Sequence, residues 1–174
     1  DLTEKIINGL GIDIINEMDS EYEVNSTAYE LYLKAKHTYN SRKTTQDNEM
    51  TRDLLEKAIA LDSNFVDAKY LLANTYQDND RSKAISLYQN ALAVAEKYDN
   101  KQVKLQIKRS LGDIYSRKWE VEEARSLFKE AYNISKEIGN ESNIASSLDG
   151  LGGFFWELRQ GDSAKYYWKK SYEI

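Results

Sequence analysis

The chain has 174 residues, of which 41% are hydrophobic and 30% are charged, and its formal net charge is −5. This composition is typical of a soluble folded protein, and it provides no excess of positive charge for binding a nucleic-acid backbone. No apolar run approaches the ~18 residues that a membrane span requires, and no signal peptide is visible. We therefore expect a folded segment that contacts neither nucleic acid nor membrane.

The residue types that catalysis and metal binding most often use are scarce. The sequence contains no cysteine and a single histidine, His37. Thiolate metal sites and disulfides are therefore excluded, and a Ser-His-Asp triad would have only His37 to use. The many carboxylates, such as Glu122 and Glu123, have the spacing of solvated helix faces. The sequence predicts a protein that is not an enzyme and holds no metal or other cofactor.

The first 27 residues differ from the rest of the chain. Leu2, Ile6, Ile7 and Leu10 form a short helical stripe, after which no period persists. We interpret residues 1–27 as a short helix or as the tail of a preceding domain. Since the sequence begins at Asp1 without methionine, we expect the chain to be a fragment of a longer protein.

The sequence from residue 28 onward repeats one pattern every 33 to 40 residues. The clearest copies are residues 109–131 and 149–171, in which leucine, glycine, aromatic and alanine positions recur 40 residues apart. Each copy has an apolar and small-residue stripe at helical spacing, a polar turn and a second helical stripe. One helical hairpin cannot bury its apolar face alone, so the pattern predicts stacked helical hairpins.

Turn signals place the boundaries of four such units. We place the units at about 28–62, 63–100, 101–140 and 141–174. Gly139 is predicted to cap a helix C-terminus, and polar residues at 78–80 and 159–162 are predicted to turn the chain within their units. The turn of the first unit is predicted across residues 40–50, where it carries extra residues. The greater length of the last two units is predicted to lie in longer helices.

Three of the four residues from 150 to 153 are glycine, a density that also occurs in phosphate-binding loops. Such a loop needs a strand before the glycines and a helix after them, whereas the preceding residues are helical in character. Gly152 instead occupies the place of Gly112 and Ala73 in the earlier units, where a small residue lets two helices approach closely. We therefore predict a packing role for Gly152 and no nucleotide site, while Gly153 has no assigned role.

The repeated residues resemble the tetratricopeptide repeat, whose marks are Leu-Gly, Tyr, Ala, an aromatic residue and Ala. The third unit carries these marks as Leu111, Gly112, Tyr115, Ala124, Phe128 and Ala131, and the fourth as Leu151, Gly152, Phe155, Ala164 and Trp168. The resemblance implies an all-α fold, a right-handed α-solenoid of antiparallel helix pairs with about four repeats. It also implies that the first helix of each pair lines a concave groove.

The resemblance further implies which side chains face that groove. In this family they lie one position after the small residue and three before it, with further positions one helical turn on. By this register the groove residues are Tyr70, Asn74, Gln77, Arg109, Asp113, Ser116, Asp149, Gly153 and Trp156. The first unit, whose register is less regular, adds Tyr32, Lys36 and Tyr39. Because Tyr, Trp and Arg dominate many interfaces, we expect the groove to bind a peptide or protein segment.

The residues around the helix "AYELYLK" (28–34) resemble the C-terminal repeat region of bacterial multidomain signalling proteins. In those proteins a nucleotide cyclase or a winged-helix regulator precedes the repeats. The resemblance implies a regulatory part of a larger protein, located in the cytoplasm or tethered to a membrane through its parent protein. The alternative is a structural role, as a spacer or a homodimer, through an apolar end near Phe154, Tyr166 and Trp168.

Overall fold

The computed structural model of the protein describes residues 23–174, which form eight α-helices and no strand. The helices are α1 (Ser26–Ser41), α2 (Thr45–Leu61), α3 (Val66–Asn74), α4 (Arg81–Lys97), α5 (Lys101–Arg117), α6 (Val121–Ile138), α7 (Glu141–Glu157) and α8 (Gly161–Tyr172). The all-α prediction is thereby confirmed. Most of the N-terminal segment predicted at 1–27 lies outside the described residues.

Polar residues that directly precede the helices determine where several of them begin. The side chains of Asn25, Asp80, Asn100 and Asn140 each accept a hydrogen bond from the backbone N–H three residues further on. Each bond satisfies a donor that a helix N-terminus otherwise leaves without a partner. Gly139 ends α6 with a left-handed backbone, φ 74°, which confirms its predicted role as a C-cap.

The turn of the first unit is shorter than predicted. α1 ends at Ser41 and α2 begins at Thr45, so the later part of the predicted turn at 40–50 is helical. The cause is a capping box, in which Thr44 Oγ1 accepts from the Asp47 N–H and the Asp47 carboxylate accepts from the Thr44 N–H. The sequence prediction was wrong here because it gave more weight to the polar composition of the segment than to the Thr44–Asp47 pair.

The helices pack as consecutive pairs. α1 packs on α2, α3 on α4, α5 on α6 and α7 on α8, and the second helix of each pair also contacts the first helix of the next. In addition, α3 contacts α5, and α5 contacts α7. The first helices of neighbouring pairs therefore adjoin one another on one side of the array. We call the surface carried by α1, α3, α5 and α7 the first-helix face.

The hydrophobic core extends along the array as three adjoining clusters. Leu55 and Phe65 are buried between the first and second pairs, and Tyr88 and Ile107 are buried between the second and third. The third cluster, around Phe128, joins the third and fourth pairs. Each cluster takes residues from two neighbouring pairs, so every helix pair depends on its neighbour for burial of its apolar face.

The small residues of the repeat lie where helices come into contact. Ala73 is fully buried. A Cβ atom added to Gly112 would lie 3.1 Å from the ring of Phe128, and one added to Gly152 would overlap the indole of Trp168. A Cβ on Gly150 would rest 3.6 Å from Phe128. The packing role predicted for Gly152 is thus confirmed.

Phe154 is not part of an exposed apolar end, contrary to the sequence prediction. Phe154 is only 2% exposed, and its ring lies 5.4 Å from that of Phe128 and 5.3 Å from that of Phe155. It belongs to the interface between α6 and α7, because the helix places it on the side of α7 that faces the third pair. Tyr166 of α8 is exposed, whereas Trp168 is partly buried beside Gly152.

Candidate functional site

The first-helix face is linked by side-chain hydrogen bonds that cross from one helix pair to the next. They join Tyr70 to Ser110 (3.4 Å), Asn143 Nδ2 to Gln102 Oε1 (2.9 Å), Arg109 Nη1 to Ser146 Oγ (2.7 Å) and Ser116 Oγ to Glu157 Oε2 (2.6 Å). Each bond connects two first helices that are about 40 residues apart in sequence. These bonds fix the positions of the polar side chains on this face before any ligand arrives.

The centre of the face is organised by a tyrosine from a second helix. Tyr88 of α4 is fully buried, and its hydroxyl donates a hydrogen bond to the amide oxygen of Asn74, with Gln77 Oε1 3.3 Å away. Its ring lies 5.9 Å from that of Tyr70. Burial raises the pKa of the Tyr88 hydroxyl, so this hydroxyl stays protonated and remains a donor. The structure thus brings Tyr70, Asn74 and Gln77 together around Tyr88.

Gln77 lies outside the helix on which the repeat register had placed it. α3 ends at Asn74, and Gln77 lies in the turn that follows, where its N–H donates to the Asn74 carbonyl at 3.3 Å. Arg52 of α2 donates to the hydroxyl of Thr75 at 3.0 Å and also to its carbonyl. These bonds satisfy the carbonyl at the end of the helix. Gln77 nevertheless reaches Tyr88, because the turn keeps it beside Asn74.

The third pair contributes the charged part of the face, on α5. Arg109 is held by Ser146, and Asp113 lies one helical turn further along. Surrounding protein atoms raise the pKa of the Asp113 carboxyl, and the nearby Glu157 carboxylate raises it further, whereas Arg109 and Arg117 act in the opposite direction. The side chain is accessible to water, yet it is incompletely hydrated. A carboxylate in this state gains from a cation that approaches it.

Replacement of Asp113 by asparagine is expected to raise the melting temperature near pH 7. The raised pKa means that the folded state disfavours the charged carboxylate, so the wild type carries this penalty at any pH above that pKa. The gain should shrink as the pH falls through the pKa of the folded state, and it should vanish below the ordinary value of 3.8. Thermal melts followed by circular dichroism from near pH 7 into the acid range measure this difference.

The control for this prediction is Asp149→Asn, which removes an exposed carboxylate from α7 of the same face. Equal gains in the two variants at every pH would contradict the explanation, because general relief of negative charge would then account for the effect.

The first pair contributes an aromatic and cationic region on α1. The ring of Tyr32 contacts that of Phe65 edge-on at 5.0 Å, and Lys36 lies 5.7 Å from the centre of the Tyr32 ring. Tyr39 is covered by Arg42, whose guanidinium lies 3.7 Å from the ring centre. Burial raises the pKa of Tyr32, and Asp67 raises it further. The predicted groove residues Tyr32 and Tyr39 thus already contact other side chains of the protein, which leaves less of each ring available to a ligand.

Asp67 on α3 is a site residue that the sequence prediction missed. Burial raises the pKa of its carboxyl, and the positive charge of Lys36 counteracts part of that rise. Asp67 precedes Tyr70 by three residues, so both lie on the same side of α3. The spacing that selected Tyr70 could have found Asp67 if it had been continued by one more helical turn.

The fourth pair presents the most accessible part of the face, on α7. Trp156 is 60% exposed, and its ring centre lies 5.7 Å from that of Trp168. Asp149 is exposed. A Cβ atom on Gly153 would meet nothing within 4 Å, so no contact inside the protein accounts for this glycine. Trp156 and Gly153 lie one turn apart on a helix side that is open to solvent.

A cleft of about 320 Å³ opens where α5 and α7 end. Its lining residues are Ser116, Arg117, Trp119, Val121, Phe154, Glu157 and Leu158. We call it the α5–α7 cleft. The sequence prediction included Ser116 but missed Trp119 and Glu157, because its register covers three positions in each unit and neither residue occupies one of them. A tryptophan in the polar stretch "SRKWEVEE" was the signal that could have found it.

Comparison with known proteins identifies the repeat. Residues 65–137 match the model of a family described as tetratricopeptide repeat. That segment is therefore similar to tetratricopeptide repeats. No curated protein sequence gave a significant match to the chain.

Solved structures show a similar fold over most of the chain. MamA is 17% identical with a TM-score of 0.61, over 98% of this chain and 82% of that one. BtubC from P. vanneervenii is 16% identical with a TM-score of 0.70, over 88% of this chain and 66% of that one. A Rap protein complexed with Competence and Sporulation Factor is 15% identical with a TM-score of 0.70, over 95% of this chain. At these identities the similarity shows the fold alone, a helical solenoid.

Two further structural findings concern the described part of the array. Within residues 23–174, no group of histidine, aspartate and glutamate side chains is arranged to hold a metal ion. No helix in the same residues is long and apolar enough to cross a membrane. The side chains of the first-helix face offer a ligand aromatic contact, hydrogen bonding and charge.

Proposed function

We propose that this tetratricopeptide array is a non-catalytic interaction module that binds a peptide or protein segment along its first-helix face. The main support for the proposal is the exposure of Trp156 on this face, together with polar side chains that hydrogen bonds between the repeats hold in place there. An exposed tryptophan gains by burial against a partner, and aromatic and arginine residues dominate interface energies. The cross-pair hydrogen bonds add preorganisation, which reduces the entropy lost on binding.

The structure supports an extended segment as the ligand. The face is a row of short polar and aromatic patches, one from each first helix, joined by Tyr70–Ser110, Arg109–Ser146 and Ser116–Glu157 bonds. A segment that runs along such a row meets successive patches with successive side chains. The Rap structure is described as complexed with Competence and Sporulation Factor, so a similar fold holds a bound factor in that protein.

The wider role that we propose is the regulatory part of a larger bacterial signalling protein. Four repeats at about 28–62, 63–100, 101–140 and 141–174 form the binding unit, and catalysis is assigned to other parts of that protein. The chain spans about half the length of the Rap structure, 49% of that chain.

The binding proposal is tested by selecting 12-residue peptides from a displayed random library on the 174-residue chain and measuring their affinities for variants. Trp156→Ala and Arg109→Ala are each expected to weaken binding about tenfold or more, since buried aromatic and arginine anchors carry most interface energy. Isothermal titration calorimetry measures the affinities, and thermal melts show that the variants remain folded.

The matched controls for this test lie on second helices. Tyr166→Ala removes an exposed aromatic side chain from α8, and Arg81→Ala removes an exposed arginine from α4. Neither control should change the affinity. If no peptide is enriched, or if the controls weaken binding as much as the first-helix variants, the proposal is wrong.

Self-association is the second candidate function, and one observation favours it. Tyr166 and Tyr172 of α8 are 53% and 94% exposed, which leaves an aromatic surface on the last helix of the array. A second copy of the chain could cover this surface in a homodimer, or the array could act as a spacer. Sedimentation velocity over a range of concentrations tests for the homodimer. A concentration-dependent dimer that Tyr172→Ala abolishes supports self-association, and a monomer at every concentration rules self-association out.

A further inference from the structure

The α5–α7 cleft combines an apolar floor with a charged rim. Val121, Phe154 and Leu158 supply the floor, while Arg117 and Glu157 line its edge. Its volume of about 320 Å³ lies at the small end of the range for ligand sites. The cleft therefore suits a single long side chain of a partner rather than a whole folded surface.

The two charged residues that line the cleft are in different states. Arg117 Nη1 is 3.5 Å from Asp78 Oδ1 on the preceding repeat, so its charge already has a partner. Glu157 accepts a hydrogen bond from Ser116 at 2.6 Å, and among residues 23–174 it forms no ion pair. Its carboxylate also lies close enough to Asp113 to oppose ionisation of that residue. Glu157 is therefore the anionic group that the cleft offers to a ligand.

Two exposed tryptophans flank Glu157. Trp119, which is 72% exposed, lines the α5–α7 cleft, and Trp156 lines an adjoining opening together with Glu157, Arg159 and Gly161. Trp119 also has a left-handed backbone with φ 60°, a conformation that is unfavourable for a bulky residue. Because its side chain is exposed and its backbone conformation is unfavourable, Trp119 contributes little to folding stability. Its ring lines the cleft, where it can contact a ligand.

An apolar channel, aromatic faces and a carboxylate that forms no ion pair with the described residues 23–174 together fit one ligand chemistry. Lysine and arginine side chains have a long aliphatic stem and a cationic end, so the stem can lie on apolar surface while the charge meets an acid. Cations also bind favourably to the faces of tryptophan rings. An acidic side chain would be repelled by Glu157, and a purely aliphatic one would bring no positive charge to its carboxylate.

We propose that the α5–α7 cleft binds a lysine or arginine side chain of the partner segment, with the stem on Trp119, Val121 and Phe154 and the cationic end at Glu157. This inference rests on the proposed function, since the segment must lie along the first-helix face for its side chain to enter the cleft. It assigns the partner a basic residue at the point where the segment crosses from the third to the fourth repeat.

The test uses the peptides selected from the 12-residue library and begins with their sequences. A basic residue is expected at one position of the enriched peptides. At that position lysine is replaced by norleucine, which keeps an aliphatic stem and removes the charge. This change is expected to weaken binding to the wild-type chain about tenfold, the usual worth of a hydrogen bond between charged groups. Glu157→Gln should weaken binding of the lysine peptide and remove most of the difference between the two peptides.

Two further variants separate the contribution of the ligand's charge to binding from that of its aliphatic stem. Trp119→Ala should weaken both the lysine and the norleucine peptide, because it removes the surface under the stem that the two peptides share. Glu96→Gln, which removes an exposed carboxylate from the second helix α4, should change neither affinity.

The outcomes distinguish the two proposals. If peptides bind and depend on Trp156 and Arg109, but norleucine binds as well as lysine or Glu157→Gln keeps their difference, then the cleft proposal is overturned and the proposed function stands. If no peptide is enriched, both are overturned. A lysine preference that Glu157→Gln abolishes and Glu96→Gln leaves intact supports the cleft proposal.

Discussion

Replacement of Phe128 by alanine is expected to lower the free energy of unfolding by about 3–5 kcal/mol, the usual effect of truncating a buried aromatic side chain. Phe128 lies on α6 and is 3% exposed. Its ring packs against Gly112 of α5 and against Gly150 and Phe154 of α7. One side chain therefore joins three helices across the boundary between the third and fourth repeats, so its removal leaves a cavity that no single helix can fill by a local shift.

Urea denaturation followed by circular dichroism measures this effect. Tyr166→Ala, which truncates an exposed aromatic residue on α8, is the control and should change the unfolding free energy by about 0.5 kcal/mol or less. A loss below about 1 kcal/mol for Phe128→Ala would show that the third and fourth repeats are not coupled through this core.

Alanine substitutions at Gly152 and Gly153 are expected to have opposite effects on stability. A Cβ atom at position 152 would overlap the indole of Trp168, whereas one at position 153 would meet nothing within 4 Å. Gly152→Ala should therefore destabilise the protein by about 1–3 kcal/mol, the range for overpacking. Gly153→Ala should stabilise it by about 0.5–1 kcal/mol, because alanine is the better helix former.

The two variants control for one another, since they make the same chemical change on adjacent residues of α7. Thermal or urea unfolding of both proteins measures the pair. If both substitutions stabilise the protein, the close approach of α8 to α7 at Gly152 would be refuted.

The sequence allowed the prediction of features that recur in every repeat. The small position occupied by Ala73, Gly112 and Gly152 could be predicted because close approach of two helices admits only small residues, and the same spacing marks it each time. Gly139 as a helix cap could be predicted because a left-handed residue that ends a helix is usually glycine. The glycine cap depends on local backbone geometry, and the small position depends on a contact that recurs in each repeat. Each of these produces a pattern that can be recognised in a single sequence.

Features that occur once could not be predicted in the same way. The start of α2 depends on the Thr44–Asp47 capping box within a polar stretch that also suits a turn. Phe154 was assigned to an exposed end because the sequence does not show which side of α7 meets α6. The raised pKa of Asp67 and of Asp113 arises from the protein atoms around each carboxyl, and that environment exists only after the repeats stack.

The candidate groove shows the same division between repeated and single features. Tyr70, Arg109 and Trp156 followed from the repeat register, and they remain predictions as ligand contacts. Trp119 and Glu157 lie where helices end, and the register does not extend there. Their convergence on one cleft depends on the turn between α5 and α6 and on the packing of α7 beside α5.

A map of amide chemical shifts shows whether the first-helix face binds a peptide segment. The isotope-labelled chain is titrated with a peptide selected from the displayed library, and each perturbed amide is assigned to a helix. We expect the largest changes to cluster on α3, α5 and α7, around Tyr70, Arg109 and Trp156. Changes concentrated on α2, α4 and α6, or on the exposed tyrosines of α8, would contradict it.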